Sequence, residues 1–223
     1  GMKLFSVIVT AGGIGSRMGA EVPKQFLEIG GLPVLFHTLK GFHDFDPDAE
    51  LLVTLPVEWQ SYYEELRAKH GFSVPHRIVD GGLHRYDSVR NAVLVASGQF
   101  IAIHDGVRPF VSNETLQRCW SAVQTKNAVI PVLDVKESIR RMENGSSIAV
   151  DRSLYKLVQT PQCFSKNTLK RAYEFPFDSS ITDDASLVEK TGVEIHLVEG
   201  NEENIKITTP IDLVLAEQIA KKQ

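Results

Sequence analysis

Three stretches of this chain carry residues whose types and spacing suit chemistry on phosphates. The first is Thr10-Ala11-Gly12-Gly13-Ile14-Gly15-Ser16-Arg17-Met18-Gly19, with Pro23-Lys24 close behind. Ala11, Gly12, Gly13 and Gly15 keep the loop open, so its backbone N–H groups can approach phosphate oxygens. No Gly-Lys-Ser/Thr closes the run, so it is not a P-loop, and Met18 stands where the third Gly of a dinucleotide fingerprint belongs. It adds Arg17 and Lys24 instead, two cations aimed from one loop, which is how charge developing during phosphoryl or nucleotidyl transfer is stabilised. The second stretch is His104-Asp105-Gly106-Val107-Arg108-Pro109. Asp105 follows a short apolar run and could hold Mg²⁺ against triphosphate oxygens. Arg108, on a loop restrained by Pro109, reads as an anion ligand, and His104 as a group packed behind the metal site. The third stretch is Gly81-Gly82, where glycine permits close backbone approach.

Each of these loops follows a strand pattern. Leu4 to Val9 is β-branched and apolar, and Pro33 to Phe45 carries Val34, Leu35, Leu39 and Phe42 at helical spacing. Glu50–Leu55, Val74–Val79, Phe100–His104 and Ala128–Leu133 read as strands, and Trp59–His70, Ser88–Ala96 and Asn113–Lys126 as helices. Strands alternating with helices predict βαβ crossovers, hence a three-layer α/β fold with a mostly parallel sheet. Helices on both faces account for strands that are apolar throughout. In such sheets ligands bind at the carboxyl ends of the strands, where all three stretches fall.

From Lys136 to Val158 the rhythm changes. Residues on either side of Glu143-Asn144-Gly145-Ser146 predict a hairpin around an Asn-Gly turn, a protruding β-arm inserted in one domain spanning 1–223. Helices at Lys166–Tyr173 and Asp183–Thr191 follow, then a strand at Glu194–Val198. Asn204-Ile205-Lys206-Ile207 reads as a strand end, and Thr209-Pro210-Ile211-Asp212 as the capped start of a last helix.

Composition removes several classes. The 223 residues are 43% hydrophobic and 23% charged, with 24 Lys plus Arg against 28 Asp plus Glu. A net charge of -4 argues against a nucleic-acid partner bound by broad phosphate neutralisation. The longest apolar run, Ala128 to Leu133, is far short of the roughly 20 residues of a membrane span. Gly1-Met2 reads as an added glycine before a native start, and no signal peptide is expected. Cys119 and Cys163 have no metal-ligand spacing and suit reduced thiols, so the expected location is the cytoplasm.

The loop Ala11-Gly12-Gly13-x-Gly15-x-Arg17-Met18 with Pro23-Lys24 resembles the signature of the nucleotidyltransferases that activate sugars and alcohol phosphates. Four further segments narrow the resemblance: Asp80-Gly81-Gly82-x-x-Arg85-x-x-Ser88-Val89, His104 to Pro109, Thr160-Pro161-Gln162-x-Phe164, and Thr182-Asp183-Asp184-Ala185-Ser186 with Asn204-Ile205-Lys206. In this order, across nearly the whole chain, they are similar to the 2-C-methyl-D-erythritol 4-phosphate cytidylyltransferase family.

The resemblance implies a Rossmann-like nucleotidyltransferase fold, a reaction of CTP with an alcohol phosphate, and a Mg²⁺ requirement met at Asp105. It implies nucleotide contacts from Ala11, Gly12, Gly13, Gly15, Gly82, Arg85, Ser88 and Gly106. Lys206 becomes a third catalytic cation beside Arg17 and Lys24. Arg108, Ser138, Arg152, Thr160 and Thr182 become acceptor contacts, Arg152 reaching the site of a second subunit through the arm, so that the protein is a homodimer. Departures are Gly106-Val107, where Ala commonly follows the metal Asp, and Val135-Lys136-Glu137-Ser138, where Asp-Thr is commoner. Two alternatives stand beside this reading: a ribitol 5-phosphate or other polyol-phosphate acceptor, and a nucleotide-binding regulator without turnover.

Overall fold

The computed structural model describes residues 3–12 and 22–223. The chain runs through β1 (Phe5–Thr10), a small ribbon of β2 (Glu28–Ile29) and β3 (Leu32–Pro33), α1 (Val34–Phe45), β4 (Glu50–Leu55) and α2 (Val57–His70). It continues through β5 (Arg77–Asp80), α3 (Arg85–Val95), β6 (Phe100–Asp105), α4 (Asn113–Lys126) and β7 (Ala128–Asp134). β4, β1 and β6 lie side by side and parallel, with β5 parallel outside β4. Side chains alternate across β1: Val7 and Val9 meet α1, α2 and α4 on one face, and Ile8 meets α3 on the other. The three-layer α/β architecture expected from the alternation is the one found.

Local chemistry sets the element ends. Ser112 caps α4 by accepting from the Thr115 N–H at 3.1 Å, and Asn127 ends it at φ 66°. The last helix, α7 (Pro210–Lys221), has the expected Thr209/Asp212 capping box with Pro in its first turn. α3 begins at Arg85, three residues before the expected Ser88, because the Asp87 carboxylate accepts from the His84 N–H at 3.1 Å. β5 starts at Arg77, later than the expected Val74, since Pro75 brings no N–H to a ladder.

The arm is an isolated ribbon of β8 (Arg140–Glu143) and β9 (Ser146–Ala149). Asn144 at φ 45° and Gly145 at φ 83° supply the two positive-φ residues of a tight hairpin turn.

Besides the short β2–β3 ribbon, two strands of the main sheet escaped the sequence reading. β10 (Lys156–Val158) and β11 (Gln162–Ser165) both run antiparallel to β7, and β11 also pairs antiparallel with β6. β11 therefore stands between β6 and β7. Val158 faces Val132 while Cys163 faces Val129, five steps along one strand against three along the other. The surplus forms a bulge at Gln159 to Pro161, with a cis Thr160–Pro161 bond. α5 (Lys166–Ala172) and α6 (Asp184–Glu189) then join α3 on its face of the sheet, and β12 (His196–Glu199) pairs parallel with β7. The expected strand end at Asn204–Ile207 is instead an extended loop, held where the Ile207 N–H donates to Val107 O at 2.9 Å.

Candidate active site

A cleft of about 270 Å³ opens at the carboxyl ends of β1, β4, β5 and β6. Thr10, Ala11 and Gly12 come from β1 and its loop, Thr54 and Pro56 from β4, Gly82 to Arg85 and Ser88 from the turn into α3, and Asp105 from β6. Lys24, Gln25, Val107 and Lys206 complete the lining. Of the expected nucleotide and catalytic residues, Ala11, Gly12, Lys24, Gly82, Arg85, Ser88, Asp105 and Lys206 thus converge on one space. Gly13, Gly15 and Arg17 lie outside the described residues.

Asp105 is the electrostatic centre. Its Oδ2 accepts from Arg108 Nε at 2.9 Å and has Lys206 Nζ at 4.0 Å. Burial alone would raise its pKa, but Lys206, Arg108 and Arg85 together hold the carboxyl below its usual range. It is therefore a carboxylate at neutral pH. Arg108 is turned inward as well, its second contact being a 2.8 Å bond to Asn204 O. A guanidinium carries five N–H donors, so the expected anion ligand retains donors beyond these two.

Behind Asp105 lies a buried hydrogen-bonded layer. Thr160 Oγ1 accepts from the Asp105 N–H at 3.1 Å and stands 2.9 Å from His104 Nδ1, while His104 Nε2 lies 2.8 Å from Arg108 O. His104 is completely buried, and desolvation pushes it down to about 4, so it is neutral and positions its neighbours, as its sequence context suggested. Thr160, expected as an acceptor contact, is buried and uses its hydroxyl on the Asp105 N–H and His104. Asn204, also fully buried, donates to Gln159 Oε1 and Thr160 O and ties the bulge to the Lys206 loop.

Gly106 is engaged by the fold as well: its N–H donates to Thr10 O at 2.9 Å and its carbonyl accepts from Thr38 Oγ1 at 2.8 Å. A Cβ there would stand 2.5 Å from Thr10 O, so glycine at 106 serves the close approach of β1 and β6. Gly82 is likewise required by packing, a Cβ falling 2.4 Å from Asp87 Cβ, and its N–H donates to Ser88 Oγ at 2.9 Å. Ser88 thereby pins the turn rather than capping α3.

Arg85 reaches across the cleft floor to the buried Asp184, Nη2 to Oδ2 at 2.9 Å. Burial opposes its charge, but Asp184 more than offsets that and keeps the guanidinium protonated. Ser138, Arg152 and Thr182 are exposed and outside the cleft lining, so one chain does not bring them to the other expected groups. Arg152 donates to Lys136 O at the root of the arm. The sequence reading missed Thr54, Pro56, Leu83, His84 and Gln25. Gln25, buried with Nε2 on Ala11 O at 2.7 Å, was signalled only by its place beside Lys24.

Among the described residues no three His, Cys, Asp or Glu cluster as a metal cage. Both cations near Asp105 meet Oδ2, so Oδ1 is the oxygen this carboxylate can offer. One carboxylate oxygen fits Mg²⁺ only in company with substrate phosphates, which is how that ion is commonly bound. No helix among the described residues is long and apolar enough to cross a membrane.

The model of the 2-C-methyl-D-erythritol 4-phosphate cytidylyltransferase family matches residues 5–222. A 2-C-methyl-D-erythritol 4-phosphate cytidylyltransferase of Bacteroides fragilis is 52% identical over 212 residues, covering 95% of this chain and 97% of that protein. The crystal structure of 4-diphosphocytidyl-2C-methyl-D-erythritol synthase from Anaerococcus prevotii superposes with a TM-score of 0.84 at 26% identity, covering 98% and 96% of the two chains. That of the Thermus thermophilus cytidylyltransferase gives 0.78 at 35% identity, covering 99% and 100%.

Proposed function

Because the chain belongs to the 2-C-methyl-D-erythritol 4-phosphate cytidylyltransferase family, we propose that it joins CTP to 2-C-methyl-D-erythritol 4-phosphate. The products are 4-diphosphocytidyl-2-C-methyl-D-erythritol and pyrophosphate, a step of isoprenoid precursor synthesis by the non-mevalonate route. The observation that carries the reading is the convergence of Lys24, Arg85, Lys206 and the Asp105 carboxylate on one cleft at the strand ends, lined also by Gly12.

An oxygen of the acceptor phosphate attacks the α-phosphorus of CTP. The new P–O bond forms as the bond to the β-phosphate oxygen breaks, and that oxygen leaves with the electron pair in pyrophosphate. The attacking phosphate is already ionised, so no base has to remove a proton. Catalysis is positioning and charge stabilisation, which explains a site rich in Lys and Arg, with no Ser-His hydrogen bond among its described residues. Lys24 and Lys206 neutralise charge on the phosphates, joined by Arg17 from the same loop as Lys24. Asp105 is the residue that would hold Mg²⁺, which would supply polarisation of the phosphates and neutralisation of their charge. Arg108 and Lys206 hold that carboxylate ionised and in place.

The arm supports a homodimer. Met142, Ile148, Leu154 and Tyr155 are all exposed on it, and a groove of about 1220 Å³ runs beside its root between β7 and the loop after β12. Exposed apolar groups next to an unfilled groove suit a reciprocal two-fold pairing. Such a pairing would carry Arg152 to the neighbour's acceptor phosphate, where a guanidinium fork fits. The buried thiols of Cys119 and Cys163, unpaired, suit a cytoplasmic protein.

Pyrophosphate release is the test, measured with CTP, UTP, ATP and GTP against 2-C-methyl-D-erythritol 4-phosphate and ribitol 5-phosphate. Release confined to CTP with the methylerythritol phosphate supports the reading. Preference for ribitol 5-phosphate moves the enzyme to the polyol-phosphate alternative, and nucleotide binding without release would leave the regulator.

A further inference from the structure

The first three residues at the cap and opening of α3 each hold a different point on the segment from Tyr173 to Asp184. His84, which lines the cleft, stacks on Phe177 with ring centroids 4.0 Å apart and planes 16° from parallel. Arg85 pairs with Asp184, which also accepts from Tyr173 Oη at 2.5 Å. Tyr86 donates to Phe175 O and Tyr173 O and meets the Phe177 ring edge-on. The Tyr173, Asp184 and Arg85 contacts belong to the buried layer under α3. Phe177 does not, being 44% exposed, so core burial does not explain why an aromatic ring is spent there.

Its position does. The segment leaves α5 at Tyr173, folds back over His84 at Phe177, and reaches Thr182 immediately before the Asp183 cap of α6. We propose that the His84–Phe177 stack is a positioning contact that fastens this acceptor-side segment to the nucleotide cleft, so that CTP bound against the Gly82–Arg85 turn orders the segment carrying Thr182. The proposal rests on the functional reading above, because it assigns CTP to the cleft and the acceptor to the segment beside it. His84 and Phe177 act through the loop they join and touch no reacting atom.

Steady-state kinetics and amide hydrogen exchange test it on the full-length protein. Phe177→Ala and His84→Ala should each raise KM for 2-C-methyl-D-erythritol 4-phosphate about tenfold, near the upper range for one aromatic pair, with kcat changed far less. His84→Phe keeps the stack while losing the imidazole nitrogens and should restore most of that loss. The double alanine variant should be little worse than either single one, since both remove the same contact. In exchange, CTP should slow the amides of residues 174–183 in the wild type and not in Phe177→Ala. An unchanged acceptor KM in Phe177→Ala, additive single effects, failure of His84→Phe to rescue, or equal CTP protection in both proteins would overturn the proposal. Wild type that binds CTP and protects the segment yet releases no pyrophosphate would sink the functional reading and leave the joint standing.

Discussion

The Thr160 hydroxyl stands 2.9 Å from His104 Nδ1 and donates to it, because Arg108 O beside Nε2 can only accept and so places the neutral ring's proton on Nε2. That fixes the tautomer: His104 carries its proton on Nε2 and gives it to Arg108 O at 2.8 Å. The one arrangement aligns the backbone of Asp105 and the loop of Arg108, and it requires a neutral imidazole. Protonating His104 would take away the bond that Thr160 donates to it and place a charge in a fully buried site.

Acid stability should report this. Desolvation takes His104 from 6.5 to about 4 in the folded protein, so on acidification the unfolded chain takes up the proton first. Stability tied to the neutral ring is full above about pH 6.5 and lost as pH falls toward 4, about 3 kcal/mol in all. Urea midpoints from pH 7 to 4 should fall steeply in the wild type and less in His104→Gln. Burial also lowers His76, so the variant measures the share belonging to His104. Parallel slopes in the two proteins would place the titrating group elsewhere.

Lys24→Ala and Lys206→Ala should each lower kcat by about 10²–10³, the cost of losing one group that stabilises transition-state charge. Arg17→Ala belongs with them. Circular dichroism and thermal melts must show a folded protein in each case, and a folded variant with unchanged kcat would remove that residue from the catalytic set.

Asp105→Asn keeps an oxygen for Arg108 but loses the charge offered to a cation. Activity at limiting Mg²⁺ should collapse and recover only in part at high Mg²⁺, read as a rise in the Mg²⁺ concentration for half-maximal pyrophosphate release. An unshifted Mg²⁺ curve would mean the ion is held by the nucleotide alone.

Mixing Arg152→Ala chains with Lys24→Ala chains tests the arm. If Arg152 serves the neighbouring subunit, a heterodimer gathers both lesions in one site and leaves the other intact. Activity should then return to about half per heterodimer. No recovery despite proven subunit exchange would return Arg152 to its own chain, and a monomer in sedimentation would remove the dimer.

Much of this protein was legible without coordinates because its information is local. A strand of Val and Ile with no polar face implies helices on both sides, and a strand end followed by Gly-rich or Asp-Gly chain marks the ligand edge of a parallel sheet. Lys24, Gly82, Arg85, Asp105 and Lys206 were all found from such context or from motif resemblance. Tertiary structure alone decided what the chain does across distance. Gln162 to Ser165 is too short to show a direction, and only pairing with β6 and β7 makes it antiparallel. Residue type could not reveal that the Thr160 hydroxyl bonds both His104 and the Asp105 N–H. The Gly106 backbone groups and the His84–Phe177 stack were hidden for the same reason: a hydrogen bond or ring contact depends on where two remote segments meet, and that position is set by the packing of the whole sheet.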